Sequence, residues 1–251
     1  MPELDIPRRN YHIAMLIDGD NAQPSLLGKF IIEASRYGTV IIRRIYGDWT
    51  NTSLNSWKKL LPNYAIQPVQ QFQNTVGKNA TDSALIIDAM DLLHQGVVDC
   101  FCLVSSDSDF TRLATRIRES GSFVIGIGKT TTPQPFVAAC DVFIETENLG
   151  AETDAGEPTN STKTQKEHKP IKSAAKPDLL PLLKQAFEIS VQENGLALLS
   201  ALGIALRKIQ PGFDTRSYGH KQLSALLSAY PKVFKLDENS VNVRLVGSSD
   251  K

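Results

Sequence analysis

A chain of 251 residues with 41% apolar side chains is long enough to bury one or two separate cores. Its 27 basic and 27 acidic residues cancel, so no overall basic field points to nucleic acid. The opening MPELDIPRRNYHIAMLIDGDN has no long apolar run behind its Arg pair, and no stretch approaches the length of a membrane span, so a cytoplasmic protein with no membrane role is expected.

Through residue 148, short apolar runs alternate with amphipathic stretches. Strands are expected at His12–Ile17, Val40–Tyr46, Tyr64–Val69, Cys100–Val104, Phe123–Ile127 and Val142–Ile144. Helices are expected near Ser25–Arg36, Ser53–Leu60, Ala80–His94 and Phe110–Ser120. Continuous apolar strands separated by helices predict an α/β domain with a mainly parallel sheet covered on both faces. The cysteines Cys100, Cys102 and Cys140 are too few and odd in number for a disulfide framework, and read as buried thiols.

Composition changes at residues 149–177, where Ile171 is the one large apolar residue after Leu149; such a segment cannot bury enough surface to order itself and reads as a flexible linker. Apolar periodicity returns at Leu179–Val191, Leu196–Ile209 and Leu223–Ala229. Two short runs, Val233–Leu236 and Val241–Val246, then flank the turn-like DENS. Three helices and a hairpin outline a small winged-helix domain at 178–247. Residues 1–148 hold 13 basic and 16 acidic side chains, net −3; residues 177–251 hold 9 and 7, net +2.

The chemistry-bearing residues are carboxylates. Asp18 and Asp20 follow the first strand in IDGDN, and Asp107 and Asp109 follow the fourth in SSDSDF. Asp82 lies four residues after Lys78 in GKNATD, near the start of a helix. An open parallel sheet gathers its ligand site beyond the carboxyl ends of its strands, where strand order reverses, so these acids should converge. Such a cluster repels itself unless a hard cation is shared, and oxygen ligands suit Mg²⁺ or Mn²⁺. Each acid also has a plainer reading: Asp109 as a helix cap, Asp20 as a solvated loop residue, Asp88 and Asp91 as surface groups on the helix carrying Asp82.

The ordered set I-D-G-x-N, K-x-x-x-D and V-S-x-D-S-D-F resembles the NYN domain of the LabA-like or limkain type, over about 140 residues. That resemblance implies a PIN-like fold and divalent-metal-dependent RNA cleavage, with Asp18, Asp82, Asp107 and Asp109 as the catalytic metal site and Asn21 and Ser105 in support. Residues Leu180–Leu245, with P-x-F-D-x-R-x-Y-G, resemble the LOTUS or OST-HTH domain. This second resemblance implies RNA binding, single-stranded or structured and G-rich for some members, or binding of a protein partner. Phe213 and Tyr218 read as core anchors there, and Lys208, Arg216, His220 and Lys221 as the residues offered to phosphate.

Other functions fit less well. A phosphatase D-x-D-x-[T/V] motif needs Thr or Val where Ala22 stands, and GIGKTTT lacks the spacing of a P-loop. A catalytically weak RNA-binding or protein-docking adaptor on a nuclease fold stays open as the alternative to a ribonuclease.

Overall fold

The computed structural model describes residues 10–72, 80–149, 179–237 and 239–246. Lys78 and the expected linker from residue 150 onward lie outside the described residues. Leu149, placed at the start of that linker by composition, instead closes a short helix and is buried in the first domain.

Six parallel strands form the first domain's sheet: β1 (Tyr11–Asp18), β2 (Gly38–Gly47), β3 (Gln67–Gln70), β4 (Cys100–Val104), β5 (Phe123–Gly128) and β6 (Val142–Glu145). Their spatial order is β3-β2-β1-β4-β5-β6, with every neighbouring pair parallel. The chain winds one way from β1 to β3 and the other way from β4 to β6. The reversal therefore falls between β1 and β4, the position where such sheets leave a crevice at their carboxyl ends.

Alternation decides which helices cover which face. Ile13, Met15 and Ile17 of β1 join Cys100, Cys102 and Val104 of β4 on one side. There they pack on Leu27, Phe30 and Ala34 of α1 (Leu27–Ser35) and on Trp57 of α2 (Asn55–Lys58). Ala14, Leu16, Phe101 and Leu103 face the other way, against α3 (Ala80–Gln95), α4 (Thr111–Glu119) and α5 (Gln134–Ala139). With both faces covered, the central strands are apolar on both sides, at Ile13–Ile17 of β1 and throughout β4, which is why these runs are continuous in sequence. All three cysteines are buried and free, and burial pushes their thiols well above the usual range.

Three differences from the sequence reading have local causes. The strand expected from Tyr64 begins only at Gln67, because Pro62–Tyr64 forms a 3₁₀ turn ended by Ala65 in the left-handed region (φ 50°). Two short helices, α5 and α6 (Thr146–Leu149), were not expected, being too brief to show a helical period. Asp88 is not a surface group: it lies three residues after Leu85 and four before Leu92, beside the buried stripe of α3. From there it accepts hydrogen bonds from the Arg44 guanidinium and the Tyr46 hydroxyl, tying α3 to β2.

The second domain comprises α7 (Leu179–Ser190), β7 (Ala197–Leu198), α8 (Leu199–Ile209), a 3₁₀ turn at Thr215–Tyr218, α9 (Leu223–Ser228), β8 (Phe234–Leu236) and β9 (Asn242–Leu245). Three helices and an antiparallel β7-β9-β8 sheet match the expected winged-helix outline. The helix α8 starts at Leu199 rather than Leu196, because Leu198 is extended (ψ 136°) and pairs with Asn242. Phe213 is buried in this core, with its ring 5.9 Å from that of Tyr218, as core anchors should be. Residues of the two domains also touch directly, through Pro211, Arg216 and Ser217.

The α3 anchor yields the first prediction. Asp88→Ala strands the Arg44 guanidinium, on a side chain only 26% exposed, and the hydroxyl of the fully buried Tyr46. Unfolding by urea should show a loss of about 1–3 kcal/mol, whereas Asp91→Ala, at an exposed position, should stay within about 0.5 kcal/mol.

Candidate metal centre

The reversal between β1 and β4 sets IDGDN against SSDSDF. Ile17 pairs with Val104, so the next residues, Asp18 and Ser105, leave the sheet side by side. Asp18 is 1% exposed and accepts four hydrogen bonds. Its Oδ2 takes the Asn21 amide at 2.7 Å and the Ser105 hydroxyl at 2.8 Å; its Oδ1 takes the backbone N–H groups of Asp20 and Asn21 at 3.2 and 3.3 Å. Those four contacts match the acceptor capacity of a carboxylate. Two further contacts clamp the loop: Trp57 Nε1 donates to the Gly19 carbonyl, and Gly19 N–H donates to Tyr46. A β-carbon at Gly19 would sit 2.7 Å from the Tyr46 carbonyl oxygen, so only glycine allows this approach.

Ser105 carries the arrangement onward. While its hydroxyl donates to Asp18, it accepts the Asp107 N–H at 3.1 Å, so one side chain couples both acidic loops. Asp107 then caps the turn at Ser108–Phe110 by accepting the Asp109 N–H at 2.9 Å. The cap of this turn is Asp107, and Asp109 stands in its first turn. Carboxylate oxygens of Asp82, Asp107 and Asp109 lie within 4.8 Å of one another, one from each residue. Asp18 stands beside this group rather than within it, close enough to repel Asp82.

The electrostatics fit a cation. Burial, then repulsion from Asp18, Asp107, Asp109 and Asp20, pushes Asp82 up to about 6. Asp20, which the motif leaves without a role, is also raised, by burial first and then by Asp18 and Asp48. Three hard oxygens crowded until one resists ionisation form the donor set that Mg²⁺ or Mn²⁺ takes. Asp82, Asp107 and Asp109 are the residues that would hold such an ion.

Sequence reasoning passed over Lys129. It follows β5 in the GIGKTTT run, is exposed, and donates its backbone N–H to Ser106 at 2.8 Å. With Asn21, Ser105, Ser106 and Thr146 it lines a small recess, two of whose walls, Asn21 and Ser105, hold Asp18. A signal was present in the sequence, since Lys129 follows a strand end as the acids do. In the second domain Lys208 and Lys221 are exposed and His220 is half-buried. Arg216 does not stand open to phosphate: its guanidinium is 15% exposed and is held by Asp214 and by Glu33 of the first domain.

Residues 12–148 match the model of the NYN domain. The chain belongs to the NYN family. Residues 170–246 match the OST-HTH/LOTUS domain, so the second domain has its own assignment. No curated protein was found to be similar to the chain. Among solved structures, a protein of unknown function from Vibrio parahaemolyticus is 20% identical, with a TM-score of 0.45, covering 56% of this chain and 96% of that one. The NYN assignment accounts for the PIN-like sheet and its nuclease-type fold, and OST-HTH/LOTUS domains bind RNA or protein partners. Among the described residues no helix is long and apolar enough to cross a membrane.

Crowding at the NYN site has a measurable consequence without metal. Because the folded Asp82 carboxyl is raised above its usual 3.8, its ionisation favours the unfolded chain. The penalty is absent below about pH 4, grows towards pH 6 and is complete above it. In EDTA at neutral pH, Asp82→Asn should therefore raise Tm by about 2–4 °C, on the order of 1 kcal/mol after solvent screening. The gain should vanish near pH 4, and added Mn²⁺ should stabilise the wild type but not the variant.

Proposed function

We propose that the chain is a ribonuclease that uses a divalent metal, Mg²⁺ or Mn²⁺, to hydrolyse RNA phosphodiester bonds, with its OST-HTH/LOTUS domain gripping the substrate. The observation that carries this reading is the trio Asp82, Asp107 and Asp109, drawn from two distant segments to one point of an NYN domain. A bound ion there supplies an activated water and offsets the charge that builds on the phosphate.

The chain's own residues divide the remaining work. Asp107 and Asp109 are pre-set by the short turn that Asp107 caps, so little ordering is left for the moment of binding. Ser105 and Asn21 hold Asp18 in one orientation beside them, the outer support that ligating carboxylates need. Lys129 offers an ammonium group to a phosphate next to the one being cut, partly relieving the repulsion between RNA and a domain of net negative charge. Lys208, His220 and Lys221 make the corresponding phosphate contacts on the second domain, whose charge is net positive.

Labelled single-stranded RNA, incubated with Mn²⁺ or Mg²⁺ and with EDTA as the control, tests the reading. Asp107→Asn keeps the cap, since Asn is as good an N-cap as Asp, so circular dichroism should match the wild type while cleavage falls to background. Ser105→Ala should cut activity about 10–100-fold. Lys129→Ala should weaken binding and flatten its salt dependence by roughly 0.7 in log–log slope. Full cleavage by both Asp107→Asn and Asp82→Asn would overturn the assignment.

A further inference from the structure

The contact between the two domains is built from buried polar groups that the acidic centre does not use. Glu33 lies in the last turn of α1 with its side chain 7% exposed. A buried carboxylate at the negative end of a helix is unfavourable on both counts unless a cation meets it. The cation is Arg216 of the other domain, whose Nη1 donates to Glu33 Oε1 at 2.9 Å. Arg216 is itself pre-aimed, because its Nε and Nη2 form a fork on Asp214 at 2.8–3.1 Å. Arg36 reaches the other Glu33 oxygen at 3.3 Å, but from an exposed position.

Neighbouring contacts repeat the pattern. The Ser217 hydroxyl donates to Glu145 Oε2 at 2.9 Å and accepts the Asn148 amide at 2.7 Å. β6 is an edge strand, with N–H groups left to be satisfied. The Pro211 carbonyl takes that of Phe143 at 2.9 Å. Glu145 ends β6 at the same end of the sheet as Asp18 and Ser105, two strands from β4, or about 10 Å along the sheet.

We propose that these contacts are an interdomain latch, through which the OST-HTH/LOTUS domain works docked and the two domains meet one RNA strand as a single body. The RNA half of this statement rests on the ribonuclease reading; the docking half does not. A docked domain sets Lys208, His220 and Lys221 at a constant offset from the acids, where a free tether would let the offset vary. The ordering of the two domains is then settled before RNA arrives, and affinity gains accordingly.

The test uses the full chain. A β-carbon at Gly212 would lie 3.3 Å from Val137 Cγ1 across the interface, and the native cysteines are buried, so Val137→Cys with Gly212→Cys should crosslink on mild oxidation. Adding Arg216→Ala with Ser217→Ala should slow crosslinking about tenfold and enlarge the particle in X-ray scattering; Glu33→Gln, from the other side, should do the same less strongly. With Asp107→Asn present to prevent cleavage, the oxidised protein should bind labelled single-stranded RNA as well as the unlinked protein does, and the Arg216→Ala, Ser217→Ala protein about tenfold more weakly. Failure to crosslink, together with unchanged scattering in the latch variants, would overturn the docking. Crosslinking that abolishes RNA binding would show the docked form to be an off state and overturn the proposal. If no form binds or cuts RNA, the ribonuclease reading falls and takes the RNA half with it, while the crosslink still decides the docking.

Discussion

The Asp18 carboxylate is almost fully buried where β1 leaves the sheet, and a charge in that position is tolerable only with every lone pair engaged. The Asn21 amide, two backbone N–H groups and the Ser105 hydroxyl supply those partners. Ser105 arrives from β4, so satisfying Asp18 also locks the two central strands together at their carboxyl ends. Because the Ser105 oxygen accepts the Asp107 N–H as well, the loop carrying Asp107 and Asp109 is positioned by the same contact. Much of the acidic centre thus follows from the need to solvate one buried charge.

Asp82 comes from farther away and needs its own support. Its helix is set against the sheet by Leu85, Ala89 and Leu92, and pinned in register by Asp88 on Arg44 and Tyr46. Tyr46 is the β2 partner of Asp18 in the sheet, and its carbonyl also receives the Gly19 N–H. One tyrosine therefore touches the supports of both Asp18 and Asp82. The arrangement holds carboxylates together against their repulsion, and that stored repulsion would give a divalent ion a reason to bind.

The relation between the domains follows a similar logic at another edge. Glu33 at the end of α1, and Glu145 and the Phe143 N–H on the edge strand β6, are polar groups of the NYN domain, and each is met by a residue in the 211–217 segment. Arg216 illustrates how position changes meaning. As an arginine in a turn of a nucleic-acid-binding fold it reads as a phosphate contact, yet its guanidinium is committed to two carboxylates. Lys129 is the converse case, set aside as part of an incomplete P-loop and then found lining a recess with Asn21 and Ser105, the partners of Asp18.

By itself the sequence determined the order of strands and helices in the first domain, the helix–hairpin outline of the second, and the identity of the acids. These are written in local periodicity and in short motifs, which act over a few residues and survive without knowledge of the rest. Asp88 as anchor and Arg216 as an interdomain partner were decided only by the tertiary structure. A side chain's partner across a sheet or a domain boundary depends on where distant strands are laid down, and local spacing carries no record of that. The same holds for Asp82, whose sequence neighbours explain its helix but whose raised proton affinity comes from burial and from charges contributed by two other loops.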